Sequence, residues 1–311
     1  MEEVSEITYR NTVALVVLYY PDSVTIAHLE RALTQVRNLL VVDNTPFADR
    51  ALQLWQWGAS RESVEFLDNT ENRGLGVAYN QGFREAQHQG ASWVLILDQD
   101  TELRSDYLSS TIERLASVGY RNSTGRPTGI VGVNFLNSAV LLTHVDPNAA
   151  VVEVPAVISS GSLVSIAAWN SASGFDEELF IDYVDTDLCM KVKSARYAVV
   201  LIGDILMTHG MGNTSANRIL GIYTRLTSNY PAFRHYYMAR NFIYIAKRHG
   251  HSNYSWFIGE GKRRVKFTAL SLLMEDNRWQ VFHWTFIGVV DGVRGRMGKR
   301  IFVEKRYQSP T

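Results

Sequence analysis

Trp93-Val94-Leu95-Ile96-Leu97-Asp98-Gln99-Asp100 sets five apolar residues directly before two carboxylates. Five residues is strand length, and a run without polar alternation belongs to a strand covered on both faces. Working outward toward the N-terminus, further runs of strand length occur at 12–18, 39–42 and 64–67. Helical stretches fall between them. Ile26, Leu29, Leu33 and Val36 form one stripe, Thr45-Pro46 reads as an N-cap before a first-turn proline, and 76–89 reads as a helix closed by Gly90. Strands alternating with helices predict a parallel sheet, and such sheets bind ligands beyond the carboxyl ends of their strands. Asp43 and Asp98 stand at two of those ends.

Downstream of residue 130 the pattern shortens. Strands are expected at 129–135, 140–144 and 151–154, around turns at Asn137-Ser138 and Asp146-Pro147, as a partly antiparallel extension of the sheet. A helix is expected over 182–195 and a strand over 197–202. After about residue 230 helical, aromatic and basic sequence takes over, which divides the chain into 1–230 and a helical extension, 231–311. With 311 residues and 46% hydrophobic content, the chain can build one large α/β domain and an appendage. The single cysteine, Cys189, excludes an internal disulfide framework and a multi-cysteine zinc site, and fits a reducing cytoplasm. No signal peptide is expected, and no apolar run reaches the ~20 residues of a membrane span. The net charge of zero hides an asymmetry: residues 1–230 carry −10 and residues 231–311 carry +10. The basic part is expected to face something anionic, either an external surface or the chain's own acidic part.

Four groups of residues point to chemistry. Asp98 and Asp100, one residue apart beyond a buried strand, can share a cation with a nucleotide, and hard oxygen ligands suit Mg²⁺ or Mn²⁺. Without that setting the same pair is a solvated, capped turn. Asn72-Arg73-Gly74-Leu75-Gly76 opens a helix with glycines, where the backbone approaches closely and the helix start favours anions. This is not the dinucleotide fingerprint, because Tyr79 stands where a third glycine would be, and Gly82 reads as a helix-packing residue. Residues 176–187 hold six carboxylates in twelve positions. Helix N-terminal electrostatics accounts for one or two of them, not for Asp182, Asp185 and Asp187 together. A half-buried carboxylate among them is a candidate general base toward a hydroxyl. His209 follows a strand, either as a structural histidine or as a third ligand beside Asp98 and Asp100.

In this order and spacing the motifs resemble the family 2 glycosyltransferases of the GT-A fold over about residues 12–250. Within that family the chain looks most like bacterial rhamnosyltransferases of polysaccharide assembly. The residues concerned are 41–45, 72–83, 97–101, 159–165, 174–189 and 234–248. The resemblance implies a Rossmann-like, nucleotide-binding mixed sheet flanked by helices, with a C-terminal helical extension. It implies that Tyr20 and Asp43 contact the nucleoside. Asn72, Arg73, Gly74 and Asn80 would line the donor side, and Asp98 would lie near the ribose and the metal. Asp100 and His209 would be further metal ligands. Asp185 is the implied catalytic base, with Asp187 as runner-up. Family members often have Glu-Asp where this chain has Val184-Asp185, and usually an arginine shortly after the cysteine, where it has Met190-Lys191. Trp169 lies where related enzymes place an aromatic near the acceptor. The implied reaction is metal-dependent, inverting transfer of a sugar to a glycan or lipid-linked glycan acceptor. The implied donor is dTDP-L-rhamnose.

In the tail, Lys262 to Lys266 precede an apolar, aromatic run over 279–290. The apolar faces are expected to pack within the protein or in a homodimer, and the basic cluster to meet a membrane peripherally at its inner face. No nucleic-acid recognition motif accompanies the basic charge, so no nucleic-acid partner is expected. Two other readings stay open at this point. A sugar-nucleotide nucleotidyltransferase is disfavoured by Tyr19-Tyr20-Pro21-Asp22, which is no glycine-rich first loop. A non-catalytic glycan-binding scaffold is disfavoured by the retained carboxylates.

Overall fold

The computed structural model describes residues 4–300 apart from 122, 124, 138–139, 142–144, 146–150, 210–214, 220–222, 228–229 and 275–276. The described strands are β1 (Thr12–Leu18), β2 (Asn38–Asp43), β3 (Val64–Asp68), β4 (Trp93–Asp98), β5 (Thr101–Leu103), β6 (Thr128–Asn137), β7 (Val140–Leu141), β8 (Val151–Glu153), β9 (Ser162–Ser165), β10 (Ala198–His209), β11 (Ser215–Ile219) and β12 (Tyr223–Thr227). The helices are α1 (Thr25–Leu33), α2 (Leu52–Ala59), α3 (Leu75–His88), α4 (Tyr107–Ala116), α5 (Ile166–Ser171), α6 (Val184–Ser194), α7 (Ala232–His249), α8 (Tyr254–Met274) and α9 (Arg278–Arg294).

The chain divides into two compact units, one of 1–177 with 184–210, the other of 178–183 with 211–311. The second unit thus joins a six-residue loop, 178–183, to the part of the chain after residue 210. In the first unit the main path of the sheet runs β3-β2-β1-β4-β9-β6-β10-β5, with β7 and β8 paired at its margins. β1 pairs in parallel with both β2 and β4, which aligns Leu18 with Asp43 and Val17 with Asp98. The two carboxylates thus end the two strands that flank β1, at the same end of the sheet. β9 runs antiparallel to β4 and β6, giving the mixed sheet of a GT-A fold. The unbroken apolar runs of β1 and β4 are buried along their length because helices cover both faces. Gly82 lets α3 lie close to β1, since a Cβ there would sit 2.3 Å from Leu15 Cδ1.

Three local expectations are corrected. No α-helix starts at Thr45-Pro46. The Thr45 hydroxyl instead accepts from the Tyr20 N–H, its own N–H goes to Asp43, and only a short 3₁₀ turn forms at Phe47–Asp49 before α2 begins. The helix expected from 182 begins at Val184, because Asp182 and Tyr183 adopt φ of 62° and 66°. The strand expected at 197–202 runs on to His209, with register shifts against β6.

The second unit contains the β11–β12 hairpin, the loop 178–183 and helices α7 to α9. Its core gathers Phe180, Tyr236 and Tyr237, with Ile181, Phe233, Trp284 and Ile287 packed against them. Among the described residues no helix is long and apolar enough to cross a membrane.

Candidate active site

The donor side is built at the ends of β1, β2 and β3. Asp43 is buried, and its carboxylate accepts from the Thr45 N–H at 2.8 Å and from Trp55 Nε1 at 2.8 Å. Asn44 donates to the Gly74 carbonyl at 3.4 Å and accepts from Asn69 at 2.8 Å, so the end of β2 is tied to the loop that opens α3. Gly74 needs its missing side chain: it caps α3 at φ 85°, and its N–H donates to Asn72 Oδ1. Gly76 is equally constrained, because a Cβ there would meet the Asp176 carbonyl at 2.4 Å. Arg73 is exposed. Tyr20 is half exposed at φ 48° and donates to Asp49 at 2.9 Å. Burial, then that carboxylate, pushes its phenol up to about 12.

The turn after β4 is held from both sides. Gln99 Oε1 accepts from the Tyr19 N–H at 3.0 Å, its carbonyl lies 3.2 Å from His28 Nδ1, and the Asp98 N–H donates to Thr101 Oγ1 at 3.0 Å. Asp98 is half-buried and Asp100 exposed. Two carboxylates on a pinned turn are a hard-oxygen donor set that fits Mg²⁺ or Mn²⁺, whose remaining positions phosphate and water usually fill. Among the described residues no three histidine, cysteine or carboxylate groups come together as a complete metal cage. The backbone of His209 ends β10, and its side chain lies outside the description.

A serine-rich loop, 159–161, links this turn to the candidate base. The hydroxyls of Ser160 and Thr101 hydrogen-bond each other, and the Gly161 N–H donates to the Ile96 carbonyl at 2.8 Å. On its other side the Ser159 N–H donates to Asp185 Oδ2 at 3.3 Å, and the Ser159 hydroxyl accepts from Tyr79 at 3.2 Å. Tyr79 is fully buried, and its phenol is held well above its ordinary range by burial and, in addition, by the charges of Asp98 and Asp185. The Tyr79 hydroxyl and the Asp185 carboxylate thus meet on the two sides of one residue, Ser159. Ser159, Ser160 and Thr101, which were given no role from the sequence, carry this link together with Tyr79, which lies within 72–80, the stretch expected on the donor side. A Ser-Ser-Gly run before an apolar strand, with Gly161 at φ 67°, is the signal that marks it.

Asp185 is half-buried at the first turn of α6, and its other oxygen accepts from the Thr186 N–H at 2.7 Å. Asp187 is fully buried and pairs with Lys191 at 3.5 Å. Asp182 belongs to the second unit, where Arg234 grips its carboxylate at 3.1–3.3 Å.

Asn80 does not join the donor-lining residues. Its Nδ2 donates to the Phe175 carbonyl at 3.0 Å and to Glu177 at 2.9 Å, and its Oδ1 accepts from the Phe175 N–H at 2.8 Å and from Trp169 at 3.2 Å. That uses all four of its hydrogen-bonding positions within the fold. Trp169 is correspondingly a core residue, 6% exposed and 5.3 Å from the Phe83 ring.

The family described as glycosyl transferase family 2 matches residues 24–152. A curated relative, the dTDP-rhamnosyl transferase RfbF of Shigella flexneri, is 27% identical over 302 residues, covering 93% of this chain and 97% of the relative. Among solved structures, S. aureus TarS superposes with a TM-score of 0.60 at 13% identity, covering 95% of this chain and half of that one. A shorter form of TarS, residues 1–349 with UDP, gives 0.52 at 14% identity over 96% of this chain and 91% of that one.

Proposed function

We propose, from the premise that this chain is a glycosyltransferase of the family 2, rhamnosyltransferase-like type, that it transfers L-rhamnose from dTDP-L-rhamnose to a hydroxyl of a glycan or lipid-linked glycan. The name of the S. flexneri relative, similar along nearly its whole length, supports the sugar and the nucleotide. TarS has been captured with UDP and with UDP-GlcNAc, which is in keeping with a sugar nucleotide as donor.

The observation that carries the chemistry is the hydrogen-bonded path that runs from the Asp98 N–H through Thr101 and Ser160 to the Ser159 N–H on Asp185. One carboxylate ends the strand on the donor side, and the other opens a helix. Asp185 takes the proton from the acceptor hydroxyl. The hydroxyl oxygen attacks the anomeric carbon opposite the diphosphate, the anomeric bond to the diphosphate breaks, and configuration inverts in one displacement. The first turn of α3 offers backbone N–H groups to the donor's phosphates. Asp98, Asp100 and His209 would hold a divalent cation, which when bound neutralises charge on the departing nucleoside diphosphate. Fixing donor and acceptor in attack geometry supplies much of the acceleration.

The test is nucleoside diphosphate release across a panel of sugar nucleotides, with Mn²⁺, Mg²⁺ or EDTA. Fastest release from dTDP-L-rhamnose, abolished by EDTA, is expected. Faster turnover of another sugar nucleotide would replace the donor, and release indifferent to EDTA would remove the metal.

A further inference from the structure

Of the apolar faces of the C-terminal helices, expected to pack within the protein or in a homodimer, one side of α9 is not covered within the chain. Its inner side packs on α7, where Gly288 and Gly292 bring the two backbones together. Its outer side leaves Trp279, Phe282, Phe286, Val289 and Val293 between 39% and 78% exposed. At about 100° per residue these five fall within an arc of about 80°, one continuous stripe along the helix. Arg278 and Arg294, both exposed, flank its two ends. On α8, Ile258, Val265 and Leu273 are also exposed, with Lys262 and Lys266 among them. The carboxylates of these two helices are turned inward. Glu260 is 8% exposed and holds Arg263, Arg264 and Tyr183, while Asp291 is 2% exposed and holds Tyr236 and Arg300. Among the described residues no carboxylate pairs with Lys262, Lys266 or Arg294.

We infer that the outer stripe of α9, with the cations of α8 and α9, is a docking face for an anionic lipid bilayer. An aromatic stripe edged by unneutralised cations, on a helix too polar to span, has the composition of a segment lying in the headgroup layer. Charge decides against a second copy on the same stripe. Pairing α9 with itself sets Arg278 against Arg278 when parallel and against Arg294 when antiparallel, while Asp291, the carboxylate within α9, is turned inward in each copy. The inference does not depend on which sugar is transferred.

The experiment is flotation of the full chain with vesicles of phosphatidylcholine alone or of phosphatidylcholine with phosphatidylglycerol, at low salt. Binding to the anionic vesicles and little to the neutral ones is expected. Replacing two of the exposed rings, Phe282→Gln with Phe286→Gln, should lower that partitioning by at least about tenfold. Lys262→Gln and Lys266→Gln should each lower it about fivefold. Donor hydrolysis without vesicles should stay unchanged in all of these variants, so a wrong donor assignment would show there and not in flotation. Equal binding to both vesicle types overturns the inference. So does a dimer in sedimentation velocity that the Phe282/Phe286 variant dissociates while vesicle binding is unaltered.

Discussion

Asp185 and Asp187 are two residues apart on α6, a spacing that turns side chains to different sides of a helix. The structure separates their chemistry accordingly. Asp185 is half-buried beside the Ser159 N–H, and Asp187 is fully buried in a pair with Lys191. Removing one partner of a buried pair leaves the other charge uncompensated, which bears on the fully buried Asp187 with Lys191 and not on the half-buried Asp185. Asp185→Asn should therefore reduce kcat by about 10²–10⁴ without shifting the melting temperature or donor affinity. Asp187→Asn should cost about 3 kcal/mol of stability, read by urea unfolding. A stable, inactive Asp187→Asn protein beside an active Asp185→Asn protein would exchange the two roles.

Helices α7 and α9 meet through glycine. A Cβ on Gly288 would lie 2.4 Å from the Tyr236 carbonyl, and one on Gly292 would lie 2.7 Å from that of Arg240. Both clashes are with backbone, so no side-chain rotation relieves them. Gly288→Val should destabilise the second unit by about 1–3 kcal/mol, seen as loss of helical circular dichroism at lower urea; an unchanged midpoint would mean the helices separate without cost. None of this is visible in the spacing of 279–290, because an aromatic run on every side of a helix hides which side is inner. The same limit holds elsewhere. The strands ending in Asp43 and Asp98 were legible because continuous apolar runs have one reading beside alternating helices. The start of α6 was not. Asp182 and Tyr183 adopt a left-handed backbone that costs roughly 1–2 kcal/mol each, and helical periodicity carries no trace of it. What holds them is distant in sequence: Asn241 donates to the Ile181 and Asp182 carbonyls, Arg234 pairs with Asp182, and Tyr183 donates to Glu260. The 159–161 loop was legible as a Ser-Ser-Gly run but not in what it joins, since its serines matter through Thr101, Tyr79 and Asp185, three partners on three other elements.

At the scale of the molecule there are two compact units, and the second carries an acid-sensitive group of its own. The second unit buries His235, 2% exposed and stacked 5.5 Å from Phe267. Burial, reinforced by Arg264 and Arg234 and opposed by Asp182, brings its pKa down from 6.5 to about 4. The folded state thus binds this proton more weakly than the unfolded state. The stability so conferred is present in full above about pH 6.5 and is lost as pH falls toward 4. At pH 5 the loss is about 2 kcal/mol, carried by the second unit. His235→Phe keeps an aromatic ring against Phe267 and removes the titration. Urea unfolding of both proteins at pH 7 and pH 5 checks the argument. The wild-type chain should lose more stability between the two than His235→Phe does, by about that amount. Parallel losses in the two proteins would mean that His235 is protonated as easily folded as unfolded, and acid sensitivity would then have to come from the carboxylates. Glu260 and Asp291, both held below the usual carboxylate range despite burial because their cation partners outweigh it, would act only at more acid pH than His235. The order in which stability is lost on acidification, histidine first and carboxylates after, is therefore fixed by what each group faces within the helical unit.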